Sequence, residues 1–213
     1  MKITLTSQQT THFNKNGFLE LEGLFSTLEA TKYNIAIQEA LDKRKAINPI
    51  IKGRDLWRDS TTLKSLVCSH KLSKLALQLT GKSPLMLACD QWFAPSYCLA
   101  KPEKLGDLLS VQGILCILLI QLQPGNFEMP ENTSQLGLSP FPQGQGNVLL
   151  VKPSLLINWP SISTQIGLYA VAYSAAASVY IHNPKDPAGE SLKLLGYGYG
   201  DRLTNETNPS FTA

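Results

Sequence analysis

The chain changes its hydrophobic period at Pro84, and that change limits what it can fold into more than any other feature. Before it, apolar residues recur at helical spacing. Ser26-Thr27-Leu28-Glu29 forms a capping box, after which Ala30, Tyr33, Ile37, Ala40 and Leu41 share one face as far as Lys43-Arg44-Lys45, cations that suit a helix C-terminus. A second helix is predicted to start near Ser69, to bury Leu72, Leu75, Ala76 and Leu79, and to stop at Gly81, with His70 exposed in its first turn. Between the two, residues 54–59 alternate charge and apolar bulk, as a short strand or an ion-paired loop would. After Pro84 the apolar residues form short runs at 85–89, 113–122, 147–151, 155–159 and 167–181, separated by Pro and Gly. Helices followed by strands predict an α+β or sandwich architecture, and 213 residues suit one domain, 1–82 mainly helical and 83–213 the β core.

Between 123 and 145 lies a long stretch rich in Pro and Gly, which reads as a lid, a binding loop or a disordered stretch. The run from Leu192 to Leu203 contains Gly196, Gly198 and Gly200 without the spacing of a dinucleotide-binding turn. It reads as a turn-rich strap packed on the domain through Tyr197 and Tyr199. Cys68, Cys89, Cys98 and Cys116 are irregularly spaced, which favours buried thiols over a zinc ribbon or a redox dithiol. No apolar run approaches the roughly 20 residues of a membrane span, and no secretory signal is visible, so the expectation is a cytoplasmic protein. The sequons at Asn132 and Asn205 are then without meaning.

The net charge of +3 conceals an asymmetry. Residues 1–106 hold fifteen of the nineteen Lys and Arg against nine acids, leaving four against seven in the remainder. Lys43, Arg44, Lys45, Lys52, Arg54 and Arg58 carry much of the excess as a candidate basic surface. Such a patch suits nucleic acid or an anionic surface, but a run of this kind at a helix end more often forms a solvated face.

Phe13-Asn14-Lys15-Asn16-Gly17-Phe18-Leu19-Glu20-Leu21, followed by Leu24-Phe25-Ser26 and the capped helix, resembles the N-terminal motif of phytanoyl-CoA dioxygenase-like proteins. These belong to the Fe(II)/2-oxoglutarate-dependent oxygenase superfamily. The 195–201 run resembles the end of some members, and the chain as a whole resembles a chlamydial representative of the fold. The resemblance implies a double-stranded β-helix, a cupin-like jelly roll, with a helical N-terminal part packed on it.

That family holds iron with two His and a carboxylate, the first His and the carboxylate as His-x-Asp or His-x-Glu on one strand face. The resemblance places that pair between about Gln91 and Gly113, where Glu103 and Asp107 stand without a histidine. It places the distal histidine near 155–159, where the chain reads Leu155-Leu156-Ile157-Asn158-Trp159, and a 2-oxoglutarate-binding cation about ten residues later. Between Lys152 and Lys185 there is no Lys or Arg, and the three histidines are His12, His70 and His182. His182 follows the last long strand and reads as a surface residue.

The expectation is therefore a degenerate, non-catalytic member without Fe(II) or 2-oxoglutarate, serving as a binding or interaction protein for a small molecule or protein partner. Asp90, Gln91, Trp92, Asn158 and Trp159 are candidates for a pocket mouth. One alternative is an oxygenase-like enzyme with an unrecognised site under the 123–145 lid, though no G-x-S-x-G, P-loop or H-E-x-x-H supports it. A second is a nucleic-acid-binding regulator using the 43–58 patch.

Overall fold

The computed structural model describes residues 4–95, 97, 101–125, 127, 138–139, 141–157 and 166–212. Helix α1 (Ser7–Asn16) begins with a Thr6/Gln9 capping box and ends at Gly17, whose φ of 83° is left-handed. A short strand β1 (Phe18–Leu21) leads into α2 (Thr27–Asp42), where the predicted Ser26/Glu29 box is present. Helices α3 (Pro49–Gly53) and α4 (Thr61–Val67) follow, capped by Asn48 and Ser60, with a 3-10 turn at Leu56–Arg58 between them. Helix α5 (His70–Thr80) is capped by Ser69 and stopped by a left-handed Gly81, as the sequence predicts.

The strands are β2 (Leu85–Phe93), β3 (Glu103–Lys104), β4 (Val111–Ile120), β5 (Leu138–Ser139), β6 (Val148–Val151), β7 (Leu156–Ile157), β8 (Leu168–Tyr180) and β9 (Ser210–Phe211). A six-stranded antiparallel sheet runs β1-β6-β4-β8-β2-β9, and a smaller sheet runs β3-β7-β5. Both faces of the large sheet are apolar because both are covered. Its outer face, with Leu85, Leu87, Leu118, Ile120 and Tyr173, packs on Ile37, Leu63, Leu66, Leu72 and Leu75 of the helices. Its inner face, with Ile117, Leu119, Leu149, Val151 and Leu168, packs on Leu105, Leu109 and Ile157 at the small sheet. Each fully buried Leu or Ile contributes about 1.5–3 kcal/mol relative to an exposed one, so the two layers hold each other in register.

The strap also behaves as predicted, with one difference. Tyr197 is buried, and its hydroxyl accepts from the Thr204 amide at 2.9 Å. Tyr199 remains half-exposed and stacks on Tyr180 with ring centroids 4.8 Å apart. Cys89 and Cys116 are buried, Cys68 is half-buried, and these three are free thiols; Cys98 lies outside the described residues. Among the described residues no helix is long and apolar enough to cross a membrane.

Candidate functional site

Strand β2 supplies most of the polar groups in the middle of the molecule, and a bulge in it decides where they point. Its register with β8 shifts between Leu87 and Cys89, so that Ala88 and Cys89, adjacent in sequence, both face the inner layer. Beyond the bulge Cys89, Gln91 and Phe93 face the interior between the sheets. Asp90 and Trp92 are turned to the helical layer. The one carboxylate on this strand is thereby removed from the inside of the β-helix.

Among the described residues, Cys89, Gln91, Phe93, Ile117, Ala170 and Ala172 line a small cavity between the sheets of about 10 Å3, at or below the space one water requires. Burial pushes the Cys89 thiol up to about 12, far from the thiolate a metal would need. Gln91 is fully engaged, its amide nitrogen donating to the carbonyls of Ile50 at 3.1 Å and Trp92 at 2.9 Å. All three histidines are exposed on the outside: His12 on α1, His70 at the start of α5, and His182 just after β8. Among the described residues no three His, Cys, Asp or Glu side chains converge on a metal-sized site. Glu103 pairs instead with Lys185 at 3.1 Å. Among the described residues the donor set therefore does not fit Fe(II) with 2-oxoglutarate.

Ionic chemistry is concentrated at the flank of β2. Gly53 approaches β2 so closely that an added Cβ would collide with the Trp92 carbonyl, which lets the next residue, Arg54, bridge to Gln91. Arg54 is buried, not solvated as the sequence suggested, because Asp186 from beyond β8 meets it. Its Nη2 donates to Asp186 Oδ1 at 2.9 Å and its Nη1 to Oδ2 at 3.2 Å, while Nε donates to Gln91 Oε1 at 2.7 Å. Asp186 also accepts from the amides of Ser110 and Ala188, at 2.9 and 3.0 Å. Every hydrogen-bonding site of that carboxylate is thus used, the condition under which a buried ion pair is tolerated.

A second cluster lies on the helical side of the same strand. Asp90 accepts from the Trp57 amide at 3.1 Å and from the Tyr169 hydroxyl. Burial, reinforced by the neighbouring Asp55, pushes the Asp90 carboxyl up to about 7. Burial likewise raises Asp55, against the opposing pull of Arg58 and Arg54. Asp90 is 0% exposed, so no substrate reaches it.

The candidate basic surface divides accordingly. Lys43 and Lys45 are exposed and Lys52 is half-buried. Arg44 is tied to Asp59 at 2.6 Å, Arg54 to Asp186, and Arg58 lies 3.7 Å from Asp55. Of the proposed pocket mouth, Asp90, Gln91 and Trp92 are all buried within β2, and Gln91 borders the small cavity between the sheets; Asn158 and Trp159 lie outside the described residues, as does about half of the 123–145 segment. Among the described residues, one opening that the sequence did not indicate is a groove of about 330 Å3 between the 44–58 segment and residues 187–195. Its signal would have been Asp186, which nothing local in the sequence ties to Arg54.

Comparison of the structure with solved ones gives extensive matches at low identity. A non-heme α-ketoglutarate-dependent carbocyclase from nogalamycin biosynthesis, SnoK, superposes with a TM-score of 0.72 at 18% identity, covering 98% of this chain and 97% of the other. The epimerase SnoN of the same biosynthesis matches with a TM-score of 0.70 at 14% identity, over 95% and 96% of the two chains. The chain has the fold of the 2-oxoglutarate-dependent oxygenases. A Chlamydia trachomatis protein, CT296, shares it with a TM-score of 0.53 at 15% identity, over 82% of this chain and 99% of that one. No protein-family model and no curated protein matches the sequence. At these identities the likeness extends to the fold, here a jelly roll with helices against its large sheet.

Proposed function

We propose that this protein is a non-catalytic member of the 2-oxoglutarate oxygenase fold that acts by binding. The observation that carries the reading is the interior between the sheets. Among the described residues it is lined by Cys89, Phe93, Ile117, Ala170 and Ala172 around about 10 Å3, and every histidine of the chain lies on the outer surface. An Fe(II) site of this class needs two imidazoles and a carboxylate on one face with open positions beside them. A buried dicarboxylate needs a cation opposite it, and the chain from 153 to 184 supplies none.

The test is calorimetry with Fe(II) and 2-oxoglutarate under anaerobic conditions, followed by succinate measurement in air. The reading expects no tight binding and no succinate above a protein-free control. Saturable binding of 2-oxoglutarate that depends on the metal, or turnover to succinate, would overturn it.

A further inference from the structure

The groove at the flank of β2 has the volume of a small-molecule site, and one of its side chains is incompletely partnered. Three arginines line it, and two of them are engaged. Arg44 donates to Asp59 and to the carbonyls of Lys52, Arg54 and Asp55, while Arg54 donates to Gln91 and Asp186. Arg58 differs. Its Nη1 donates to the Thr207 carbonyl at 2.7 Å, but Nε and Nη2 have no hydrogen-bond partner. The nearest carboxylate, Asp55, stands 3.7 Å from Nε, beyond hydrogen-bonding distance.

Nε and Nη2 form the edge of a guanidinium that grips a carboxylate or phosphate with two parallel bonds. The guanidinium lies 4.3 Å from the Trp57 ring centroid, so the aromatic face supports it beside the groove. Both nitrogens are buried in this structure, so the guanidinium must turn off the Trp57 ring, held by its one hydrogen bond to Thr207, to present that edge to the groove. Of the two carboxylates on the lining, Glu190 is held by Lys193 and by the Tyr199 hydroxyl, each at 2.7 Å, and Asp55 stands 3.7 Å from Arg58 Nε.

The rest of the lining is aliphatic: Ile51 on one side, Ala188, Leu194 and Leu195 on the other. Leu194 is 89% exposed and Ile51 45% exposed, which places apolar surface at the rim with no protein covering it. We propose that this groove binds a small amphiphilic anion, its carboxylate or phosphate on Arg58 and its aliphatic body against Ile51, Leu194 and Leu195. The inference rests on the binding-protein reading and names the ligand class for it. The site lies outside the β-helix interior.

The experiment is calorimetric titration of the full chain with octanoate, octyl phosphate, octanol and acetate. At least one of the two amphiphilic anions should bind saturably with one site, and octanol and acetate should each bind at least about tenfold more weakly. The better of octanoate and octyl phosphate identifies the head group. Arg58→Gln should weaken that anion about tenfold or more, as expected for losing a charge-assisted pair. Because Arg58 also braces Thr207, a second variant, Leu194→Asp, alters only an exposed side chain; it should weaken binding to a similar extent with an unchanged thermal midpoint. No saturable binding of either anion by about 10 mM, equal affinity for octanol, or unchanged affinity in Leu194→Asp would overturn the proposal. The iron and 2-oxoglutarate assays do not touch this site, so the two readings fail separately.

Discussion

The inside of the β-helix and the flank of β2 lie within a few residues of each other along the chain, yet they differ completely in chemistry. Between the sheets, among the described residues, Cys89, Phe93, Ile117, Ala170 and Ala172 are uncharged and border a cavity of only about 10 Å3. At the flank, Arg54, Asp186, Asp55, Asp90 and Arg58 are buried or nearly so, and each is shaped by its neighbours' charge. One bulge separates the two regions, since it turns Asp90 away from the interior and leaves the amide of Gln91 facing in. The contrast teaches that a jelly roll can keep its architecture while its ionic groups sit outside the space its structural neighbours share.

Breaking the flank should have the largest effect. Replacing Asp186 by Asn leaves Arg54 charged and buried without its carboxylate, which should destabilise the fold by about 3–5 kcal/mol in urea denaturation. The double variant Arg54→Met with Asp186→Leu should regain most of that loss. If the single substitution lowers stability by less than about 1 kcal/mol, the pair is not the structural anchor described here.

The interior is sharpened by adding volume to it. Ala172 is opposite Cys89 and Ile117 in the sheet, so Ala172→Ile pushes a larger side chain into the filled space and should destabilise by about 1–3 kcal/mol. A neutral or stabilising result in the same denaturation assay would mean that the cavity is larger than its 10 Å3.

Asp90 gives a pH signature peculiar to the flank. Burial raises its folded-state value from 3.8 to about 7, so folding takes up a proton in that window. The contribution of Asp90 should be fully present at or below about pH 4 and fall by about 3–4 kcal/mol as pH rises to about 7. Asp90→Asn lacks that titration, so its thermal midpoint should gain on the wild type across pH 4 to 7. Parallel melting curves for the two proteins would remove Asp90 from the account. The smallest effect belongs to Asp59, whose pair with Arg44 is partly exposed to solvent. Asp59→Asn should lower stability by less than about 1 kcal/mol, and by less still in high salt.

Much of the fold is legible in the sequence because its signals are local. The Ser26/Glu29 box and the Ser69 and Gly81 caps bound α2 and α5, and continuous apolar runs mark β2, β4, β6 and β8, which are covered on both faces. The exposed positions of His70 and His182 also follow from their places at element ends. The flank was not legible. Arg54 reads as one of six clustered cations, and only the approach of Asp186, 132 residues away, buries it. Asp90 and Trp92 read as groups at a strand end, whereas β2 continues to Phe93 and the bulge at Leu87/Cys89 reverses which side they face. Neither a long-range ion pair nor a register shift leaves a mark in local composition.

The central claim concerns the space between the sheets, and anomalous diffraction from crystals grown with Mn(II) and 2-oxoglutarate addresses it most directly. The account predicts no anomalous peak between β2, β4 and β8 and an interior still closed by Cys89, Phe93, Ile117 and Ala172. A metal peak in that space, with 2-oxoglutarate density beside it, would contradict the account.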